Sequence, residues 1–339
     1  MGALRVMAIA KKVGADGTLR VGVVGVGVMG SNHARVLSEL PDVKLVGIVD
    51  PERRQRDAVS EALGCAAVGD VESLVRLGVD AVTIAAPTHT HRDVAQECIA
   101  HGLHVLVEKP IASTVEEGHA IIAAARRARV TLMVGHVERF NPAVEAIKQA
   151  IHNEDILSIA ITRVGPFPPR MSNVGVVIDL AVHDIDLIRW FTDSEIVEIQ
   201  PQLSSAVAER EDIALLQFST ASGVLAQINT NWLTPFKART VHIATRDKYL
   251  IADLLTLQVS ECFGFQPDGS YSMRHLSVRY AEPLRSELVA FINAIRTGRP
   301  PLVTGEEGVA SLEIAIRCIE ARAGHAATPQ RKGPRRVVG

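Results

Sequence analysis

From Leu19 to Asp50 the chain reads Leu-Arg-Val-Gly-Val-Val, then Gly25-Val-Gly27-Val-Met-Gly30, then a helix-forming run that stops before Pro41, then Lys-Leu-Val-Gly-Ile-Val closing on Asp50. An apolar strand, glycines spaced G-x-G-x-x-G, a helix and a second apolar strand ending on an acid make the βαβ unit that binds a dinucleotide. Each position answers a physical demand. Gly25 admits the tight turn off the strand, Gly27 lets the backbone approach a pyrophosphate, and Gly30 lets the helix lie close to the sheet. Val28 and Met29 sit at the helix start, where free N–H groups and a partial positive charge face the phosphates. Asp50 falls twenty residues after Gly30, where a carboxylate accepts hydrogen bonds from both ribose hydroxyls and favours NAD over NADP. Arg53 and Arg54 could reach a 2′-phosphate, but Asp50 would repel it.

The next stretch keeps alternating. A helix is expected from Pro51 to about Leu63, a buried strand over Val79–Ala85 ending at Pro87-Thr88, and a helix from Thr90 to His101. A strand over Leu103–Val107 then runs into Glu108-Lys109-Pro110, followed by a helix over about Thr114–Ala128 and a strand over Thr131–Val134. Strand and helix in this rhythm predict a parallel sheet covered on both faces, with ligands at the carboxyl ends of the strands. The cofactor set is therefore Gly25, Gly27, Val28, Met29, Gly30, Asp50, Arg54, Pro87, Thr88, His91, Glu108 and Lys109, with His91 at a helix start beside the cofactor. From about Ile156 longer strands take over. Val224, Ala226, Ile228, Thr230 and Trp232 alternate with Leu225, Gln227, Asn229 and Asn231, the period of a half-buried strand in an antiparallel or mixed sheet, after a turn at Ala221-Ser-Gly223. Helices follow from Arg285 to Arg296 and from Glu306 to about Ala323, around Pro300-Pro301.

The expected fold is α/β: an N-terminal Rossmann domain over 19–137 and a C-terminal α+β domain with a large, mostly antiparallel sheet over 138–323, whose last helices fold back on the first domain. Residues 1–18 form an extension and 324–339 a basic tail. With 339 residues the chain has room for two domains, and Lys plus Arg at 36 against Asp plus Glu at 38 gives no excess charge to draw nucleic acid or an acidic membrane. No apolar run has the length of a membrane span. Cys65, Cys98, Cys262 and Cys318 form no C-x-x-C pair, as in a reduced cytoplasmic protein. His89, His91, His101 and His104 have ligand-like spacing, but no acid or cysteine cluster completes a site, and no metal is expected.

The nucleotide unit, Glu108-Lys109-Pro110, the Asp179-Leu-Ala-Val-His183-Asp-Ile-Asp186 run and the closing Gly298-Arg-Pro-Pro-Leu-Val-Thr-Gly-Glu-Glu turn resemble the glucose-fructose oxidoreductase / inositol dehydrogenase (Gfo/Idh/MocA) family, over about residues 19 to 323. Lys109, at a strand end and before a proline, lies where the nicotinamide should be, so its ammonium is partly desolvated beside a cationic ring. The resemblance implies a cis Lys109–Pro110 bond, and Glu108 is placed to accept a hydrogen bond from the nicotinamide ribose. Asp179 and His183, four apart, share one face of a helix, and Asp186 could orient the imidazole. Taking a hydride from a carbinol requires a base for the hydroxyl proton, and the resemblance makes Lys109 and His183, with Asp179, that machinery.

Gly135-His136-Val-Glu138-Arg139-Phe140-Asn141-Pro142 resembles the subgroup of this family that oxidises the 3-hydroxyl of UDP-N-acetylglucosamine. Arg139 could pair with a diphosphate, and Asn141 reads a sugar group, caps a helix that Pro142 begins, or does both. Arg163 and Arg170 flank Pro166-Phe-Pro-Pro169, which could cover the site. The substrate set is thus Lys109, Arg139, Asn141, Arg163, Asp179 and His183. The implied activity is NAD-dependent oxidation of the nucleotide sugar to a 3-keto sugar that feeds an aminotransferase on the way to a lipid A type of amino sugar. The resemblance also implies a homodimer or homotetramer through an exposed sheet face. A sugar or inositol dehydrogenase is the alternative within the class, and an NAD-binding sensor or scaffold the alternative outside it.

Overall fold

The computed structural model describes residues 17–168 and 174–323. Arg170, the basic tail and all but the last two residues of the expected extension lie outside them. The chain forms two compact units, one running to Phe140 and including Ala281–Leu312, the other comprising Asn141–Tyr280 and the chain from Glu313.

In the first unit β1 (Leu19–Val24) leads to α1 (Val28–Glu39), β2 (Val43–Val49), α2 (Arg53–Leu63), β3 (Ala66–Val68), α3 (Val71–Arg76) and β4 (Ala81–Ile84). Then come α4 (His91–Ala100), β5 (His104–Glu108), α5 (Val115–Ala128) and β6 (Leu132–Gly135). The strands pair in parallel in the order β3-β2-β1-β4-β5-β6, so the order reverses between β1 and β4, where a doubly wound sheet binds its ligand. Every residue of β4, and Val105–Val107 of β5, is buried, as a sheet covered on both faces demands. Each such Val, Leu or Ile contributes about 1.5–3 kcal/mol on burial. The capping chemistry is local: Asp70 accepts the Ser73 N–H at 2.6 Å to start α3, and Thr114 accepts the Glu117 N–H at 3.2 Å to start α5. The short β3 and α3 are too small to leave a periodic signature, and the sequence pattern passes over them.

The second unit carries α6 (Pro142–Ala150), β7 (Ile156–Pro166), α7 (Val182–Thr192), β8 (Ile196–Ser204), β9 (Ile213–Thr220), β10 (Leu225–Asn231), β11 (Leu233–Thr245), β12 (Lys248–Asp253), β13 (Gln258–Phe263) and β14 (Ser272–His275). The strands form one sheet in the order β14-β13-β12-β11-β7-β10-β9-β8, antiparallel throughout except for the parallel β7–β10 pair. In β10 Ala226, Ile228 and Thr230 are buried while Leu225, Gln227 and Asn229 are exposed, the period of two read in the sequence. The buried face packs with α6 and α7 around Val144, Ile147, Ile185, Ile188 and Phe191. The chain continues through α8 (Pro283–Thr297), which belongs to the first unit, and α9 (Gly305–Ala323). The four cysteines are free, and burial pushes the Cys98 and Cys318 thiols up to about 12, which keeps them protonated. No helix of the described residues is long and apolar enough to cross a membrane.

Candidate functional site

The glycine turn between β1 and α1 is as tight as its spacing demands. Gly25 has φ +83°, and a Cβ there would stand 2.6 Å from the Ala86 nitrogen. A Cβ on Gly30 would stand 1.7 Å from the Gly25 carbonyl oxygen, whereas one on Gly27 would meet nothing within 4 Å. Two glycines therefore serve the packing of the turn, and the third faces open space in front of it. Val28, 72% exposed, opens α1 beside Gly27, so the helix N-terminus presents its N–H groups outward. That arrangement fits a pyrophosphate.

Asp50 stands at the end of β2 beneath this turn. Its Oδ2 accepts the Val26 N–H at 2.8 Å and its Oδ1 accepts the Glu52 N–H at 2.8 Å. Each carboxylate oxygen has a second lone pair for a ribose hydroxyl. Arg54 is exposed, its backbone N–H donating to Glu52 at 3.3 Å. The arginine that reaches this strand end is Arg56, whose guanidinium donates to the Asp50 carbonyl at 2.9 Å, a role no local motif marks.

Pro87 and Thr88 begin a short 3-10 turn at the end of β4. His91 opens α4, the helix-start place expected of it. It is buried, with Nδ1 at 2.9 Å from the Pro110 carbonyl and Nε2 at 2.9 Å from the Ala86 carbonyl, so it ties the ends of β4 and β5 together. Burial pushes its imidazole below the ordinary value, against the pull of these carbonyls. The other histidine spacing has an equally plain cause: His104 accepts the Thr131 N–H at 2.9 Å.

At the end of β5 the Lys109–Pro110 bond is cis, and Lys109 is half-buried. Glu108, expected at the nicotinamide ribose, is buried and engaged within its own domain. Its carboxylate turns inward, Oε1 at 3.0 Å from His33 Nε2 on α1 and Oε2 accepting the Lys109 N–H at 3.1 Å. Burial pushes the Glu108 carboxyl up, but the hydrogen bond and charge of His33, with the Lys109 charge and N–H, outweigh it and hold the group below the usual range. Gly135 on β6 makes room, since a Cβ there would lie 3.1 Å from the Glu108 carboxyl carbon. Glu287 on α8 completes a buried group: ligand atoms of His33, Glu108 and Glu287 all lie within 4.8 Å of one another. Neither His33 nor Glu287 drew notice in the sequence. The available signal was an acid inside the apolar stripe Leu284, Leu288, Phe291, Ile292.

In the second unit the candidate pair sits on an irregular helix. Val177–Ala181 is a π-turn that runs into α7, so the ordinary four-residue spacing does not stack Asp179 on His183 as a regular α-helix would. Both residues are half-buried, while Asp184 and Asp186 are buried. Glu211 anchors the start of this turn. It accepts the Val177 N–H at 3.4 Å through Oε1, and its carbonyl accepts the Val176 N–H at 2.8 Å. A Cβ on Gly175 would lie 1.8 Å from the same Oε1, so a larger residue there would have to displace the Glu211 carboxylate.

The polar residues expected at the substrate have partners within the fold. Arg139 is 2% exposed and holds Glu307 at 2.6 Å and the Leu302 carbonyl at 3.4 Å within the first unit. Arg163 and Asp184 form a buried pair with contacts of 2.7, 2.9 and 3.0 Å. Removing one partner of such a pair costs about 3–5 kcal/mol, because the other is left charged and buried. Asn141 caps α6, accepting the Ala143 N–H at 2.9 Å, and donates to the Leu254 carbonyl at 3.1 Å. Arg139 and Arg163 act as structural pins, their guanidinium groups desolvated and paired with carboxylates, while Asn141 caps α6 with one amide N–H and one lone pair left over.

The family profile described as "Oxidoreductase family, NAD-binding Rossmann fold" matches residues 19–136, and that described as "GFO/IDH/MocA C-terminal domain" matches residues 155–250. The chain is 31% identical over 303 residues to a UDP-N-acetylglucosamine 3-dehydrogenase of Acidithiobacillus ferrooxidans, covering 88% of this chain and 96% of that protein. A solved structure of that enzyme superposes with a TM-score of 0.85, covering 90% of this chain and 97% of the other, at 30% identity. A myo-inositol 2-dehydrogenase of Thermotoga maritima is 27% identical over 311 residues, covering 87% of this chain and 93% of that protein.

Proposed function

Since the chain belongs to the Gfo/Idh/MocA oxidoreductase family and its first unit is an NAD-binding Rossmann domain, we propose that it oxidises the C3 hydroxyl of UDP-N-acetylglucosamine to the 3-keto sugar. The class is a sugar or polyol dehydrogenase acting on CH–OH groups. The substrate reading is carried by the likeness to the Acidithiobacillus enzyme along nearly its whole length. Bound NAD supplies the hydride acceptor. The glycine turn and the α1 N-terminus hold the pyrophosphate, and Asp50 holds the adenosine ribose. Lys109, half-buried at the end of β5, takes the hydroxyl proton, with His183 as its partner in proton transfer and Asp179 as a further polar contact to the sugar. A 3-keto sugar is a substrate for transamination, so a coupled aminotransferase making a 2,3-diamino sugar is the natural consumer.

One observation favours a second reading. With Arg139 paired to the partly exposed Glu307 and Arg163 in a buried pair with Asp184, two of the cations expected at a diphosphate are already engaged, which suits an uncharged polyol such as inositol. Purified protein incubated with NAD and either UDP-N-acetylglucosamine or myo-inositol separates the two by the absorbance of reduced nicotinamide, with an aminotransferase and amino donor added to pull the first reaction. Reduction with the nucleotide sugar alone is expected. Reduction with inositol alone replaces the substrate, and silence with both despite NAD binding leaves a sensor.

The open face of the second unit's sheet carries Leu157, Val197, Leu215, Leu225, Phe236, Tyr249 and Ile251, all exposed. We take this apolar face to be covered by a second copy of the chain. Sedimentation equilibrium at micromolar concentration is expected to return a dimer or tetramer; a monomer would leave that face without its occupant.

A further inference from the structure

The buried group behind Lys109 holds two carboxyls and one imidazole, and its ionisation has to be settled internally. Glu287 is fully buried, and neither of its carboxyl oxygens has a hydrogen-bond partner among the described residues. Ligand atoms of His33 from α1 and of Glu108 from β5, the latter followed by Lys109, lie within 4.8 Å of its carboxyl, and α8 also packs on the Val137–Phe140 turn, which carries the buried Glu138 and Arg139. The imidazole contact in the group goes to the other acid: His33 Nε2 meets Glu108 at 3.0 Å, not Glu287. An ionised Glu287 would be a bare buried charge facing a second carboxylate, the arrangement in which one of two acids keeps its proton.

We propose that His33, Glu108 and Glu287 form a buried proton-holding triad in which Glu287 is an uncharged acid, and that the triad positions the Glu108–Lys109 strand end for reaction. Glu108 is the ionised member. One of its oxygens is held by α1 through His33, and the other closes back on the Lys109 peptide N–H, so the backbone that carries Lys109 is fixed from within the domain. Glu287, from α8, closes the far side of the group without adding a second negative charge behind Lys109. Burial, and then the charge of Glu108, push the Glu287 carboxyl well above its usual range, in accord with that geometry. A group whose folded value is raised stabilises the fold at low pH, and that contribution is lost as pH rises through the folded value.

The full chain tests this without substrate. The infrared difference spectrum of wild type minus E287Q at neutral pH is expected to show the C=O stretch of a protonated carboxylic acid, shifted in D2O. The wild-type melting temperature is expected to fall as pH rises from the ordinary carboxylate range up to the raised folded value, and E287Q to flatten that decline. Absence of the band, or a decline identical in E287Q, overturns the uncharged acid. A stoichiometric divalent ion found in the purified protein and lost in E287Q overturns it as well, by making the group a metal site.

The positioning role is read in kinetics and depends on the dehydrogenase reading, whereas the spectra and melting curves do not. H33A is expected to lower kcat by about 10- to 100-fold with little change in the KM for NAD, through misplacement of Lys109, and H33Q, whose amide nitrogen can replace Nε2, to recover most of it. Equal loss in H33A and H33Q, or a loss confined to KM, overturns the positioning role.

Discussion

Replacing Lys109 by alanine is expected to lower kcat for the preferred substrate by about 10²–10⁴-fold, the usual contribution of a positioned acid–base group. NAD binding, followed by quenching of intrinsic fluorescence, should persist, because the glycine turn and Asp50 are untouched. Lysine is suited to this step in a way arginine is not: an ammonium can give up and retake a proton, but a guanidinium stays charged. K109R should therefore remain near the alanine level even though it restores the positive charge. Stopped-flow measurement of the first turnover keeps product release from masking the effect. Near-normal turnover in K109A would remove Lys109 from the proton-transfer role and leave His183 to carry it.

The second large effect separates two glycines three residues apart in the same turn. G30A would place a methyl 1.7 Å from the Gly25 carbonyl, a backbone atom that cannot step aside alone. Overpacking of this kind costs about 1–3 kcal/mol, and the displaced turn should lose NAD affinity with it. G27A meets nothing within 4 Å and has φ −60°, a value open to alanine. It should melt close to wild type yet bind NAD at least about tenfold more weakly, since its methyl would occupy the space the pyrophosphate needs. Calorimetric melting alongside NAD titration reads both quantities. Undiminished NAD affinity in G27A would show that the pyrophosphate does not approach the turn there.

Much of the nucleotide half is legible in sequence because its signals are local. The G-x-G-x-x-G spacing, the acid ending β2, and the apolar runs of β4 and β5 each lie within a few residues of what they specify. The alternation along β10 likewise marks its exposed and buried faces, and the Asn141-Pro142 step marks the start of α6. Reading charge was less successful. Arg139, Arg163 and Glu108 look in sequence like ligands, since a polar side chain near a strand end is as suitable for a substrate as for a partner within the fold.

The sequence by itself determined the βαβ unit, its preference for NAD and the presence of a lysine at the strand end, because backbone sterics and hydrophobic period act over short stretches. Tertiary structure alone decided which charges would be spent inside. Arg139 meets Glu307 across 168 residues, and His33 meets Glu108 across 75. The π-turn that sets the spacing of Asp179 and His183 is held by Glu211, from beyond α7 and β8. No local pattern encodes such pairings. Burial makes an unpaired charge costly, and the fold selects the partner it has brought near.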